Sequence, residues 1–74
     1  MADHKLDATG LKCPLPVLRT RKALKDIAVG ETLEVRSTDP ASKMDFGVFC
    51  GQTGHELVSQ QDDGEVFVFV IRRG

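Results

Sequence analysis

Cys13 stands in the stretch GLKCPLPVLRTRKAL, between Lys12 and Pro14, just ahead of a run that reads as a helix. The residue before a proline is pushed to extended backbone angles, and proline is welcome at the first helical position. Together these rules make Cys13 the N-cap and Pro14 the first helical residue. Pro16 then falls in the first turn, where a missing N–H breaks no intrahelical bond. It also restricts Leu15, which allows the helix to start a residue or two later. A sulfur at this place faces the positive end of the helix dipole. The first turn holds no acid, Lys12 adds positive charge, and Arg19, Arg21 and Lys22 follow within two turns. The Leu15 N–H is a candidate donor to the sulfur. All of these favour thiolate, so a lowered pKa is expected for Cys13.

The chemistry open to such a thiolate is narrow. A CxxC pair would supply a resolving thiol, but the matching position is Pro16. Without a neighbouring thiol, a persulfide or mixed disulfide on Cys13 is not expelled locally. A Cys-His-Asp hydrolase is poorly supported by two histidines, His4 and His55, in a chain too short for a deep cleft. Carrying a group on sulfur fits better than turning over a small molecule. The competing reading of Cys13 is a buried structural thiol, a common fate of free cysteine, and the flanking lysine and prolines count against it. Cys50, beside Val48 and Phe49, reads as structural. His55 reads as a cap on the turn into a strand, and Asp39 as an N-cap.

Size and charge bound the possibilities. A chain of 74 residues has room for one domain over 1–74, with a single core. Two cysteines and two histidines form no zinc spacing, so no metal and no cofactor is expected. The net charge of −1 argues against nucleic acid as the ligand. The polar N-terminal stretch MADHKLDATG is unlike a signal peptide, and no apolar run reaches membrane-spanning length. A reduced, cytoplasmic protein is expected. Its charge is asymmetric: Lys12 to Lys25 carries basic residues without acids, while acids dominate from Asp26 to Ile71.

The elements that must hold Cys13 follow from periodicity. HKLDATG reads as a first strand ending at Gly10. In the helix after Cys13, Val17, Thr20, Leu24 and Ile27 share one face, and Gly30 closes the segment. ETLEVRST alternates, with Leu33 and Val35 inward. DPASKMDFGVFCGQTG opens with Asp39 as N-cap and Pro40 as first helical residue, and Ala41, Met44 and Val48 are its expected buried stripe. HELVSQQ and EVFVFVIRR flank DDG, a hairpin signal. The expected fold is an α/β (α+β) two-layer sandwich of β-α-β-α-β-β order, a four-stranded mixed sheet with two helices on one face. The last strand is apolar on both faces, and its outer valines are either simply exposed or a partner surface.

LDATGLKCPLPVLRTRKAL, GETLEVRSTDPAS and FCGQTGHELV together resemble the TusA/SirA-like family of small sulfur-carrier proteins. The similarity runs from about Leu6 to Arg73, and the CPxP element at the head of the first helix is its most specific part. The resemblance implies the same sandwich fold and a sulfur-relay role. By it, Cys13 accepts sulfur as a persulfide from a cysteine desulfurase or rhodanese-like donor protein. An acceptor protein then takes the sulfur toward tRNA 2-thiouridine synthesis, molybdenum-cofactor assembly or sulfur oxidation. Pro14 and Pro16 shape the loop, and Arg21 and Lys22, with Lys12 and Arg19 beside them, are candidates for docking partner proteins. This is sulfurtransferase-type carriage rather than small-molecule turnover, with no direct nucleic-acid or membrane partner. Leu15 replaces a glutamate found in some members, and Gly47 a proline found in many. The competing function is a non-catalytic regulatory module that docks through the basic first helix.

Overall fold

The computed structural model describes residues 2–74. Six elements follow in the expected order: β1 (His4–Ala8), α1 (Leu15–Lys25), β2 (Thr32–Ser37), α2 (Ser42–Thr53), β3 (Glu56–Asp63) and β4 (Val66–Arg72). They form one mixed sheet in the order β1-β2-β4-β3. The β1–β2 pair is parallel, with Ala8 opposite Ser37, and the other two pairs are antiparallel. A parallel pair needs a crossover rather than a tight turn, and α1 supplies it.

Alternation decides which side of the sheet is dry. Leu33, Val35, Phe67, Phe69 and Ile71 point to the helices and are buried, while Val66, Val68 and Val70 on the opposite face are only half-buried. Phe46 of α2 lies against Phe69, ring centroids 4.5 Å apart and tilted by 33°. From α1 come Thr20 and Leu24, joined by Ile27 just beyond it, as the periodicity predicts. Pro16 is buried as well, and its carbonyl accepts the Thr20 hydroxyl at 2.8 Å, which satisfies a polar group inside the core. The β3–β4 turn is two residues long, with Gly64 at φ +68° in its first central position, where a mirror-image turn requires a positive φ.

The second helix departs from its expected face. Ala41, Met44 and Val48 are exposed, Met44 by 75%, and the buried side carries Ser42, Phe46, Phe49 and Cys50. Apolar residues occupy both sides of this helix, so polarity alone does not orient it. The larger phenyl rings claim the core. Ser42 follows them inward because its hydroxyl bonds Ser37 Oγ at 2.6 Å, tying the start of α2 to the end of β2. The helix also starts two residues past the expected first helical residue, with Ala41 at the N-cap. Asp39 still serves the turn, its Oδ1 accepting the Ala41 N–H at 3.1 Å.

Several exposed carboxylates are held ionised by donors near the β1 side. The Thr32 N–H lowers the Asp3 carboxyl, the Thr9 hydroxyl that of Asp7, and the Ala28 N–H that of Glu31. Folded values below unfolded ones give stability that is complete above the ordinary carboxylate range and lost as pH falls through the folded values. The urea midpoint is expected to hold steady from neutral pH to about pH 5 and to drop below about pH 4. Equilibrium unfolding followed by circular dichroism across that range checks this.

Candidate functional site

Two connections meet where the parallel strands end. Because Ala8 and Ser37 are register partners, the loop leaving β1 and the loop leaving β2 must run side by side. The first loop is fastened to the second at two points. The Gly10 N–H donates to Thr38 Oγ1 at 2.9 Å, and the Cys13 N–H donates to Asp39 Oδ2. Within the loop, the Leu11 N–H reaches the Ala8 carbonyl at 3.3 Å, and the Leu15 N–H reaches the Lys12 carbonyl at 2.8 Å. Leu15 is therefore not a donor to the sulfur. Pro14, at the cis Cys13–Pro14 bond, is the N-cap of α1, so the helix begins one residue later than the simplest reading of CPxP.

Cys13 is exposed and unpaired, and Cys50 is buried and unpaired. The Cys13 side chain opens onto a groove between α1 and α2. Pro14, Val17, Leu18 and Arg21 line it from one side, and Met44, Asp45, Val48, Phe49 and Gln52 from the other. The Met44 and Val48 side chains expected in the core are thus part of the wall beside the thiol. Leu18 is half exposed there as well.

The expected lowering of the Cys13 pKa is reversed. The Asp45 carboxylate shares the groove with Cys13 and, by favouring the S–H form, pushes the thiol up from its ordinary value of 9.0. Partial desolvation and the charges of Asp45 and Asp39 act in the same direction. The helix end and the basic run were the signals legible near Cys13, but electrostatic influence decays with distance. The two carboxylates arrive from the β2–α2 connection and from α2, far away in sequence. Burial pushes Cys50 up too, in keeping with a structural thiol.

The basic residues are not gathered at one place. Lys12 sits with Cys13 and Asp39 in a second concavity above the strand ends. Arg21 lines the groove. Arg19 and Lys22 are exposed on α1 and line neither. His55 packs its ring by Phe49, centroids 5.7 Å apart, and its Nδ1 accepts the Gly74 N–H at 3.0 Å. Among the described residues, no group of three or more His, Cys, Asp or Glu side chains can hold a metal ion, and no helix is long and apolar enough to cross a membrane.

Asp39 and Asp45 are the residues the sequence reading missed at this site. Asp39 was assigned only a capping role, and Asp45 none. Adjacency of the two parallel-strand ends was implicit in the β-α-β order, and it brings Thr38 and Asp39 to Cys13. The approach of Asp45 depends on the register of α2, which the polarity pattern misassigned.

Comparison with known proteins agrees with this architecture. Residues 4–73 match the family described as Sulfurtransferase TusA. The sulfur carrier protein TusA of Allochromatium vinosum is 46% identical over 71 residues, covering 96% of this chain and 93% of that protein. The putative sulfur carrier protein YrkI of Bacillus subtilis is 41% identical, covering 99% of this chain and 97% of that one. The crystal structure of a SirA-like protein from Desulfitobacterium hafniense superposes with a TM-score of 0.83 at 26% identity, over 96% of this chain and 97% of that one.

Proposed function

Since this chain belongs to the TusA family, we propose that it is a sulfur carrier whose sulfur rides on Cys13 as a persulfide. The observation that carries this reading is the contrast between its two thiols. Cys13 is exposed on a loop fastened at Gly10 and at its own N–H, while Cys50 is buried in the core. A fixed, accessible thiol with no second thiol beside it suits a carrier that must hold its cargo until an acceptor docks.

The transfer balances without an added oxidant. Cys13 sulfur attacks the outer sulfur of a donor persulfide, a new S–S bond forms, and the donor's own S–S bond breaks. The electron pair stays on the donor sulfur, which takes the proton given up by Cys13. The donor class is a cysteine desulfurase or a rhodanese-like protein. The acceptor is another protein that receives the outer sulfur by the same kind of displacement. Lys12 and Arg21 each line a concavity that includes Cys13, which supports a role for them in meeting acidic donor or acceptor surfaces. Arg19 and Lys22 offer a wider basic face on α1.

Incubation of the reduced protein with a cysteine desulfurase and cysteine, and separately with a persulfide-loaded rhodanese-like protein, followed by intact mass without reductant, is the test. A gain of one sulfur atom that reductant removes is the expected result. No gain from either donor class would overturn the reading and favour a module that docks without carrying sulfur.

A further inference from the structure

We propose that a concavity beside the C-terminal half of α1 binds a small tetrahedral oxyanion of the phosphate or sulfate class. Arg21 and Lys25 of α1 line it, with Arg73 beyond β4 and His55 ahead of β3, and no carboxylate side chain does. Buried Leu24 and Phe49 contribute apolar surface to it. Its volume of about 190 Å³ suits an ion with a few waters better than a larger organic molecule, whose pockets run to roughly 300–1,000 Å³.

The cations there lack the partners that other charges in the chain have found. Arg21, Lys25 and Arg73 form no salt bridge among the described residues, whereas Arg36, Lys43 and Arg72 each pair with an acid. Arg21 and Lys25 stand four residues apart on one helix face, where like charges repel and cost stability. A doubly charged anion between them and Arg73 offsets that cost.

Arg73 is fixed before any ligand arrives. Its N–H donates to the Glu31 carbonyl and its carbonyl accepts the Gly30 N–H, both at 2.9 Å. Its Nη1 donates to the Ile27 carbonyl, and the other guanidinium N–H groups remain for a ligand. His55 Nδ1 accepts the Gly74 N–H at 3.0 Å, so the donor of the neutral ring is Nε2. A planar carboxylate satisfies one guanidinium fork. A tetrahedral dianion presents oxygens to cations from α1 and from the segment after β4 together. Arg21 also lines the groove with Cys13, so the two concavities share one guanidinium.

Inorganic phosphate titrated into isotope-labelled protein, at neutral pH and at ionic strength held constant with chloride, tests this through amide chemical shifts. Saturable movement of the His55 and Arg73 amides at millimolar phosphate is the expected result. Lys25 is exposed, so Lys25→Gln should fold normally, and it is expected to weaken binding severalfold. Lys22→Gln removes the same charge from the same helix but outside the concavity, and it should leave binding unchanged. Shifts that grow without saturating would overturn the proposal, as would equal weakening by the two variants. Acetate binding as tightly as phosphate would also overturn it, by making a partner protein's carboxylate the better ligand. No sulfur donor enters this experiment, so failure of sulfur loading would leave its result standing.

Discussion

Cys13→Ser is expected to gain no sulfur from a desulfurase and cysteine under conditions that load the wild type. A serine hydroxyl cannot form the S–S bond on which carriage depends, so the effect is loss rather than attenuation. Because the side chain is exposed, the substitution should leave stability within about 0.5 kcal/mol of wild type, and an unchanged melting curve separates lost chemistry from lost fold. Cys50→Ser is expected to retain loading. Its thiol is buried among core residues and raised by that burial, so a donor persulfide has no path to it. Sulfur appearing on Cys13→Ser would move the cargo elsewhere and end the proposal for Cys13.

Phe46→Ala is expected to be the most damaging single core change. Phe46 is fully buried, stacks against fully buried Phe69, and joins α2 to the middle of the sheet. Truncating a buried phenylalanine costs about 3–5 kcal/mol. At about 0.05–0.15 kcal/mol per residue, a domain of this size has roughly 4–11 kcal/mol in total. The variant should therefore lose tens of degrees in Tm or fail to fold at 37 °C, which thermal unfolding measures. Met44→Ala is the matched control on the same helix. Met44 is 75% exposed, and its loss should cost about 0.5 kcal/mol or less.

The contrast between Met44 and Phe46 also marks the limit of what the sequence makes legible. Strand alternation identified Leu33 and Val35, and a 3.6-residue period identified Thr20, Leu24 and Ile27, because in those segments one face alone is suited to the core. In α2 both faces carry apolar groups, and a serine that pairs with another serine across the turn is buried. No polarity scale anticipates a buried polar residue whose partner comes from another element. The same gap explains the site. Cys13, Pro14 and Pro16 announce themselves by local spacing, whereas Asp45 and Asp39, the carboxylates that push the thiol up, belong to a different segment. Local charge counting gave the wrong sign there, since it saw Lys12 and Arg21 without Asp45.

The place of β4 in the sheet has a consequence for how the protein comes into being. It lies between β2 and β3 and supplies Phe67, Phe69 and Ile71 to the core, yet it is the last of the six elements to be synthesised. Until it emerges, β2 and β3 have no hydrogen-bonded neighbour in common, and Phe46 has no ring to lie against. Before then, of the sheet's three pairings, only the parallel β1–β2 pair can form. Every antiparallel pairing in the sheet waits for this strand, and the β2–β4 pairing joins residues far apart in sequence, which slows folding. The nascent chain should therefore lack its antiparallel pairings until β4 has emerged.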